Sequence, residues 1–236
     1  MRHQPLDTFP GPCDDARMFI PIADDNPRER APFVTIGLIA INILLFFLWC
    51  FPEENLVRAV EVSALIPNQA DWSSSAWWSD VFTSMFMHAN LIHLAGNMIF
   101  LWIFGDNVED KLGPPLFLIF YAVCGVAAAV LHVYTTADPS IPILGASGAV
   151  SGVLGAYVIF FPVHRVHMLV FPFGVMKTPA FMWIGIWFVE QILFARMEKT
   201  GVAWYAHIGG FIAGVAMALP ARVAFRHRFK APARDH

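Results

Sequence analysis

The stretch LGPPLFLIFYAVCGVAAAVLHVYTTADPSIPILGASGAVSGVLGAYVIFFPVH, residues 112–164, contains Asp138 as its only Asp, Glu, Lys or Arg. Both uncharged parts, 112–137 and 139–164, exceed the about 20 residues that a helix needs to cross a bilayer core about 30 Å thick. Further uncharged runs of similar length extend over 33–52, 81–105 and 200–221. These runs predict a membrane protein.

The composition agrees with this class. Hydrophobic residues make up 57% of the 236 positions and charged residues 14%, against roughly a quarter charged in ordinary soluble domains. The formal net charge of −3 is too small to indicate a nucleic-acid partner. Cys13, Cys50 and Cys124 are widely spaced, which predicts packing residues rather than a disulfide framework or a redox site.

A sixth apolar segment, 179–195, is interrupted by Glu190 and Gln191. We therefore expect an all-α membrane protein that forms a bundle of six transmembrane helices. The approximate spans are 33–51, 88–105, 115–134, 143–161, 179–195 and 202–219. The apolar runs 56–65 and 166–176 are too short to span and are expected to be interfacial or re-entrant.

The distribution of Lys and Arg predicts the orientation of this bundle. If both termini are cytoplasmic, the inside segments carry 12 of the 15 basic residues and the outside segments carry three, Arg58, Arg196 and Lys199. The positive-inside rule favours this arrangement. Residues 1–32 then form a cytoplasmic segment, 33–221 the membrane domain and 222–236 a basic cytoplasmic tail. The N-terminal segment is acidic and lacks an apolar core, so we expect no cleavable signal peptide.

Polar side chains inside the spans mark the candidate functional positions, because an unpaired polar group in hydrocarbon costs several kcal/mol. Those that bear on function are His88, Asn90, His93, Asn97, Ser147, Ser151, Glu190, Gln191 and His207.

Ser147 lies in the sequence Gly145-Ala146-Ser147-Gly148, where a helical run begins after Pro142. The start of a helix has free N–H groups and favours negative charge, which suits an oxyanion formed when a serine attacks a carbonyl. The alternative interpretation is that Ser147 and its glycines are small residues for close helix packing.

A possible base for this serine lies in the sixth span. His207, Gly210 and Gly214 share one helical face, as do Gly148 and Gly152 in the fourth span. Faces lined by glycine permit close approach of two helices, which would bring the imidazole to the hydroxyl. No carboxylate is near either residue in sequence, so catalysis would use a Ser–His dyad.

The second span supplies hydrogen-bond donors, since His93 and Asn97 lie one helical turn apart. One oxyanion donor is typically worth about 3 kcal/mol in acyl transfer. A metal site built from His88, His93 and His207 is the alternative, and it is disfavoured because there is no HExxH and no nearby acid. We expect neither a metal nor a cofactor.

The sequence resembles the rhomboid family of intramembrane serine proteases, of the six-span bacterial type. The matching segments run from the N-terminal region to the last span. They are Met18-Phe19-Ile20-Pro21, HANLIHLAGN (88–97), GDNVEDKLG (105–113), GASG (145–148) and AHIGGFIAG (206–214).

The resemblance implies a role for each matching residue. Ser147 would be the nucleophile and His207 the base and then the acid. His93, Asn97 and Gly145 would stabilise the oxyanion. Structural roles fall to His88 and Glu109, and helix packing around the site falls to Gly148, Gly152, Gly210 and Gly214. For Glu109 the alternative is a solvated loop charge.

The resemblance also implies a setting for the reaction. The fourth helix would begin below the membrane surface, beneath a water-filled cavity open to the outside. The implied location is a bacterial inner membrane, with the site open to the periplasmic side. The substrate would be another transmembrane protein, cut in or near its spanning helix. It would enter between the second and fifth helices, where Trp183, Trp187 and Phe188 are candidate gate residues.

Two positions depart from the family pattern. Trp77-Trp78-Ser79-Asp80 stands where many members have a Trp-Arg pair in the first external loop, 52–80. Ser151 stands where some members have an aromatic ring that stacks on the catalytic histidine, so His207 would be steadied by a hydrogen bond or by Phe211.

Two other functions compete with the protease. The first is a catalytically inactive rhomboid-like protein that binds or escorts membrane proteins, although such relatives usually lack the Ser or the His. The second is a transporter or channel, suggested by Glu190 and the intramembrane histidines and opposed by the lack of an inverted repeat. The sequence does not fix the substrate or the oligomeric state.

Overall fold

The computed structural model describes residues 19–197 and 202–229, and most of them are helical. Their helices are α1 (Phe33–Leu45), α2 (Glu53–Ser63), α3 (Ser75–Ser84), α4 (Leu91–Phe100), α5 (Asp106–Leu112), α6 (Pro114–Thr135), α7 (Ser147–Phe160), α8 (Ala180–Arg196) and α9 (Trp204–Ala224). Single π-helical segments extend α1 (Phe46–Cys50) and join α4 to α5 (Leu101–Gly105). Short 3₁₀ turns lie at Pro67–Gln69 and Arg226–Phe229.

Four helical segments in the described part of the chain are long and apolar enough to cross a membrane. They are Phe33–Cys50, Leu91–Leu112, Pro114–Thr135 and Trp204–Ala224. Helix α7 is apolar but has only 14 residues, and α8 has 17. The fourth and fifth predicted spans are therefore shorter than the other four.

The all-α prediction is wrong in one respect, because the chain also forms a three-stranded antiparallel sheet. Its strands are β1 (Phe19–Asp24), β2 (Arg165–Val170) and β3 (Gly174–Pro179), with β2 in the middle. Val166, Met168 and Val170 are buried on one face of β2, the period of two that a half-buried strand requires. Most of the run 166–176, which we expected to be interfacial or re-entrant, is thus a hairpin.

Three predicted boundaries also shift. The second-span helix begins at Leu91 rather than 88, because the Asn90 side chain accepts a hydrogen bond from the His93 N–H and caps the helix. The fourth begins at Ser147 rather than 143, and the sixth continues to Ala224 rather than 219.

The start of the expected tail is also folded. The Arg228 guanidinium donates hydrogen bonds to the carbonyl oxygens of Lys111 (2.8 Å) and Leu112 (2.9 Å). Residues 230–236 lie outside the described residues, as do 1–18 with Cys13 and Met18.

Helix α7 forms the centre of the bundle, and nearly all of its residues are buried. It packs between α6 and α9 through glycines. A β-carbon on Gly148 would meet Ala128 of α6 at 2.5 Å, and one on Gly152 would overlap Cys124. Cys124, like Cys50, is a buried free thiol. The backbones of these helices therefore approach more closely than larger side chains would allow.

Glu109 in α5 holds the start of α1. Its carboxylate accepts hydrogen bonds from the N–H groups of Val34 (2.9 Å) and Thr35 (2.7 Å) and from the Thr35 hydroxyl (2.7 Å). These N–H groups have no partner within the helix, and Pro32 at the N-cap offers no side-chain hydrogen bond. Glu109 is 2% exposed, so the alternative of a solvated loop charge is wrong.

Asp24 connects the sheet to the helices at the same end of the bundle. Its carboxylate accepts hydrogen bonds from the Tyr157 hydroxyl of α7 (2.5 Å) and from the Asn107 amide of α5 (2.9 Å). Burial raises the pKa of Asp24 to about 6, although the hydrogen bond from Tyr157 opposes the shift. Strand β1 is thereby fixed to the ends of two helices.

Candidate active site

Ser147 is the first residue of α7 and is only partly buried. The segment before it turns at Gly145, whose φ of +123° is unfavourable for residues with a β-carbon. The Gly145 N–H donates to the Ser84 carbonyl (2.9 Å), which fixes this turn to the end of α3. The first N–H groups of α7 are left without helical partners, and they surround the serine.

His93 of α4 reaches the same place. A β-carbon built on Gly145 would lie 2.7 Å from His93 Nε2 and 3.6 Å from Ser147 Oγ. The ring nitrogen and the hydroxyl thus border one small space, and it exists because residue 145 has no side chain. Gly145 is required both by its conformation and by this contact.

Asn97 lies one turn after His93 on α4 and is 7% exposed. Its Nδ2 makes no hydrogen bond within residues 19–197 and 202–229. Its amide is therefore a buried hydrogen-bond donor one helical turn from His93.

The His88 ring packs edge-to-face against the His93 ring, with the two ring centroids 5.1 Å apart. It is fully buried, and neither ring nitrogen has a partner in the described part of the chain. No group of three or more His, Cys, Asp or Glu residues within that part is arranged to hold a metal ion. The contact with His93 fits a structural role for His88.

His207 lies in the first turn of α9, and the starts of α9 and α7 adjoin each other. The Ala206 carbonyl oxygen is 3.7 Å from the position of a β-carbon on Gly148. Ser147 directly precedes Gly148 and His207 directly follows Ala206, so both lie at the same end of the two helices. No hydrogen bond between the Ser147 hydroxyl and His207 is found among the residues that the structure describes.

The His207 ring is held by a residue that sequence reasoning did not assign to the site. His207 Nδ1 lies 2.7 Å from Gln191 Oε1 of α8. The rings of Trp187 and Trp204 lie at centroid distances of 6.3 and 6.1 Å. Phe211 instead stacks on Phe188 at 4.2 Å. Of the two ways of steadying His207 that the sequence left open, the structure contains the hydrogen bond.

Gln191 is 4% exposed, so its side chain does not face water. The signal that could have found its role was present in the sequence, because a polar amide in an apolar helix requires a partner in the protein. The Ser151 hydroxyl donates a hydrogen bond to the Ser147 carbonyl oxygen, one turn earlier on α7 (2.7 Å).

A small cavity of about 20 Å³ adjoins Ser147. Its lining includes Ser84, Gly145 and Ala203. Its volume is enough for about one water molecule.

The three gate candidates occupy two different contacts. Trp183 is 8% exposed and packs on Phe100 and Phe104, with centroid distances of 5.7 and 5.8 Å, so it joins α8 to the second-span helix. Trp187 and Phe188 instead cover Phe211 of α9. Of the three, Trp183 is the one whose ring contacts join α8 to α4 and the π-helical segment that follows α4.

The segment between α1 and α4 is compact rather than extended, because it contains α2 and α3. Trp72, Trp77 and Trp78 pack together, with Trp72 and Trp77 centroids 4.4 Å apart. Trp72 also stacks on Tyr134 at the end of α6. Trp77 is 4% exposed, so these tryptophans fix the loop to the bundle.

Comparison with known proteins gives the family of this chain. The model of the rhomboid domain matches residues 74–223, from α3 to the end of α9. This range contains Ser147, His207, His93 and Asn97. The chain belongs to the rhomboid family and is an integral membrane protein.

Individual relatives agree with the family. The chain is 28% identical to rhomboid protein 1, mitochondrial, of Saccharomyces cerevisiae, covering 76% of this chain and 50% of the yeast protein. It is 28% identical to rhomboid protease GluP of Bacillus subtilis, covering 85% and 38%. It is 33% identical to the presenilin-associated rhomboid-like protein, mitochondrial, of Homo sapiens, covering 76% and 46%. The chain thus matches half or less of the length of these relatives.

Proposed function

We propose that this chain is an intramembrane serine endopeptidase that cleaves transmembrane proteins in or near their spanning helix with a Ser147–His207 dyad. The observation that carries the proposal is the meeting of three elements at one end of the bundle. Helix α7 presents Ser147, α4 presents His93 against Gly145, and α9 adjoins α7 at the residues next to Ser147 and His207. A relative named as a protease, GluP, supports it.

The proposed topology has six spans with both termini in the cytoplasm. Support comes from the distribution of charge along the helices. Lys111 and Arg228 lie together where α5 and α9 end, and Arg222 donates a hydrogen bond to the Phe160 carbonyl oxygen at the end of α7. Ser147 lies at the opposite end of α7. The 14 residues of α7 extend about 21 Å at 1.5 Å per residue.

That length sets the depth of the site. If α7 ends at the cytoplasmic surface of a core about 30 Å thick, Ser147 lies roughly 10 Å below the outer surface. Water would then enter from the outer side. The named relatives include mitochondrial and bacterial proteins, and for this chain we propose only that the site faces away from the basic end of the bundle.

The proposed first half-reaction forms an acyl-enzyme. Ser147 Oγ attacks the substrate carbonyl carbon while His207 accepts the hydroxyl proton. The carbonyl oxygen becomes an oxyanion, and His93, Asn97 and the N–H groups at the start of α7 donate to it. When the carbon–nitrogen bond breaks, His207 returns the proton to the leaving amine.

The second half-reaction repeats these steps with water. His207 removes a proton from water, which attacks the ester carbonyl, and the same donors hold the second oxyanion. Collapse of this intermediate breaks the bond to Ser147 Oγ. The proton on His207 then passes to the serine oxygen and restores the enzyme.

The bundle also constrains the substrate. Peptide bonds within a spanning helix are protected by their own hydrogen bonds, so the helix must unwind locally before Ser147 can attack. The walls of the site are closely packed helices. We therefore propose substrates with Gly, Pro or polar residues in the outer part of the helix and small residues at the cut.

The test is cleavage of a model transmembrane substrate by purified protein in liposomes. Ser147→Ala and His207→Ala should each abolish cleavage, and a fluorophosphonate should label the wild type but not Ser147→Ala. The matched controls are Ser140→Ala, in the loop before α7, and His167→Ala, in β2, and both should cleave as the wild type does.

If the Ser147 and His207 variants cut as fast as the wild type, the proposal is wrong. Binding of the substrate by the wild type without any cleavage would favour the inactive, escorting type of rhomboid protein.

A further inference from the structure

We propose that Gln191 is the positioning residue for His207, holding the imidazole in the tautomer that can accept the Ser147 proton. The inference rests on the proposed function and adds a third member to its dyad. It starts from the contact between His207 Nδ1 and Gln191 Oε1 at 2.7 Å.

The orientation of the Gln191 amide follows from its second contact. Gln191 Nε2 donates a hydrogen bond to the Trp187 carbonyl oxygen at 3.1 Å. A carbonyl oxygen can only accept, so the amide nitrogen must face Trp187 and the amide oxygen must face His207. The Trp187 carbonyl lies one turn earlier on α8, so the helix itself sets this orientation.

The orientation of the amide in turn fixes the tautomer of His207. Because Gln191 Oε1 has no proton to give, His207 Nδ1 must be the donor. In a neutral imidazole the other nitrogen, Nε2, then has the free lone pair. A base that removes a proton from a serine needs that lone pair, and the opposite tautomer would offer an N–H instead.

Burial makes this arrangement difficult to replace. Gln191 is 4% exposed, so water is poorly placed to accept the His207 N–H if the amide is removed. The Trp187 and Trp204 rings near His207 carry no acceptor comparable to a carbonyl oxygen. Loss of Gln191 Oε1 would leave the ring free to rotate or to change tautomer.

A neutral amide also suits the position better than a carboxylate. Serine proteases of other folds use an aspartate to orient the histidine, but an ionised carboxylate between apolar helices costs several kcal/mol. The amide gives the same direction to the ring without that cost. It stabilises the imidazolium less than a carboxylate would, and this difference can be measured.

The experiment compares three variants of the full-length chain on the same liposome substrate. Gln191→Leu keeps the approximate volume and removes the acceptor, and we expect kcat to fall about 10- to 100-fold with KM within threefold. Leu193→Ala, at an exposed position of α8, is the control and should keep the wild-type kcat. The rate of fluorophosphonate labelling of Ser147 should fall together with kcat in Gln191→Leu and stay at the wild-type rate in Leu193→Ala.

Gln191→Glu separates positioning from simple structural support. A carboxylate beside Nδ1 stabilises the imidazolium, so His207 becomes a usable base only at higher pH. The acid limb of the kcat/KM profile should move upward by about one pH unit or more. A residue that only fills space would not move this limb.

The outcomes are distinct. The inference is overturned if Gln191→Leu keeps the wild-type kcat, or if an active Gln191→Glu shows no shift of the acid limb. The proposed function stands in either case as long as cleavage depends on Ser147. If Gln191→Leu fails to fold, as judged by its thermal midpoint, the acid limb of Gln191→Glu decides. Equal cleavage by the wild type and Ser147→Ala overturns both.

Discussion

Gly210 of α9 lies against the Gly148 carbonyl oxygen of α7 so closely that a β-carbon on Gly210 would overlap that oxygen. The same relationship repeats one turn later between Gly214 and Gly152. The two backbones are therefore in direct contact next to the candidate dyad. The helices that carry Ser147 and His207 can lie this close together only because Gly210 and Gly214 have a hydrogen atom where other residues have a β-carbon.

Gly210→Ala should destabilise the protein and impair the site together. A methyl group would force α9 away from α7, and overpacking of this kind typically costs about 1–3 kcal/mol or more when backbone must move. We expect a lower thermal midpoint in detergent micelles and slower fluorophosphonate labelling of Ser147. Gly37→Ala in α1, where a β-carbon meets nothing within 4 Å, should leave both unchanged or raise the midpoint slightly. Equal behaviour of the two variants would contradict the role of the glycine contact.

Glu109→Gln should loosen the start of α1 at the other end of the bundle. The buried carboxylate accepts three hydrogen bonds from Val34 and Thr35, and a neutral amide offers one acceptor oxygen instead of two. Hydrogen bonds to a charged group are each worth about 1.5–3 kcal/mol. The thermal midpoint of Glu109→Gln should fall, and that of Thr35→Val should fall by less. Glu61→Gln, on the exposed face of α2, is the control. If Glu109→Gln and Glu61→Gln have the same midpoint, the cap is dispensable.

Asp24→Asn should change how stability depends on pH. Burial raises the pKa of Asp24 to about 6 from 3.8, so between these values the native state keeps a proton that the unfolded chain has lost. Stability from this group therefore falls as pH rises through that window, and the cost of the buried charge is complete above about pH 6. The asparagine cannot ionise.

The measurement is the thermal midpoint from pH 4 to pH 7. The wild type should lose stability relative to Asp24→Asn as the pH rises. Asp71→Asn, at an exposed turn where the Ser73 side chain lowers the pKa of the carboxyl, should show no such relative loss. A difference between wild type and Asp24→Asn that is constant with pH would mean that Asp24 is ionised throughout.

Asn97→Ala should slow turnover by about 10- to 1000-fold while leaving the fold intact. The Asn97 Nδ2 is buried and has no partner in the described residues. It would donate to the oxyanion only in the transition state, and alanine removes that donor. The test is kcat on the liposome substrate together with the thermal midpoint. Asn68→Ala, in the exposed loop before α3, should keep the wild-type kcat. An unfolded Asn97→Ala would show that the residue is structural.

Much of this architecture could be predicted from the sequence, because its signals are local. Runs without charge indicated the membrane helices, and the spacing of His207, Gly210 and Gly214 indicated a face for close packing. The sequence did not predict the β2–β3 hairpin, because a short apolar run is equally consistent with an interfacial helix. Its partner strand β1 is also far from it in the sequence.

Gln191 shows what local signals do not contain. Its polarity within an apolar helix indicated that it needs a partner, but the choice of His207 depends on how α8 is rotated against α9. That rotation results from packing among Phe188, Phe211 and Trp187, which involves two helices at once. The same limit applies to Glu109, whose partners on α1 lie more than 70 residues away.

Replacing the helix-breaking residues of a substrate by leucine should slow its cleavage. A leucine-rich helix keeps its backbone hydrogen bonds within the bilayer, so the peptide bond is presented to Ser147 less often. We expect kcat/KM to fall when Gly or Pro residues in the outer half of the model substrate become Leu, and to stay constant when the same changes are made in the inner half. Fluorophosphonate labelling of Ser147 requires no unwinding and serves as the control for an intact enzyme. Equal kcat/KM for parent and outer-half substrates would show that local unwinding does not limit the reaction.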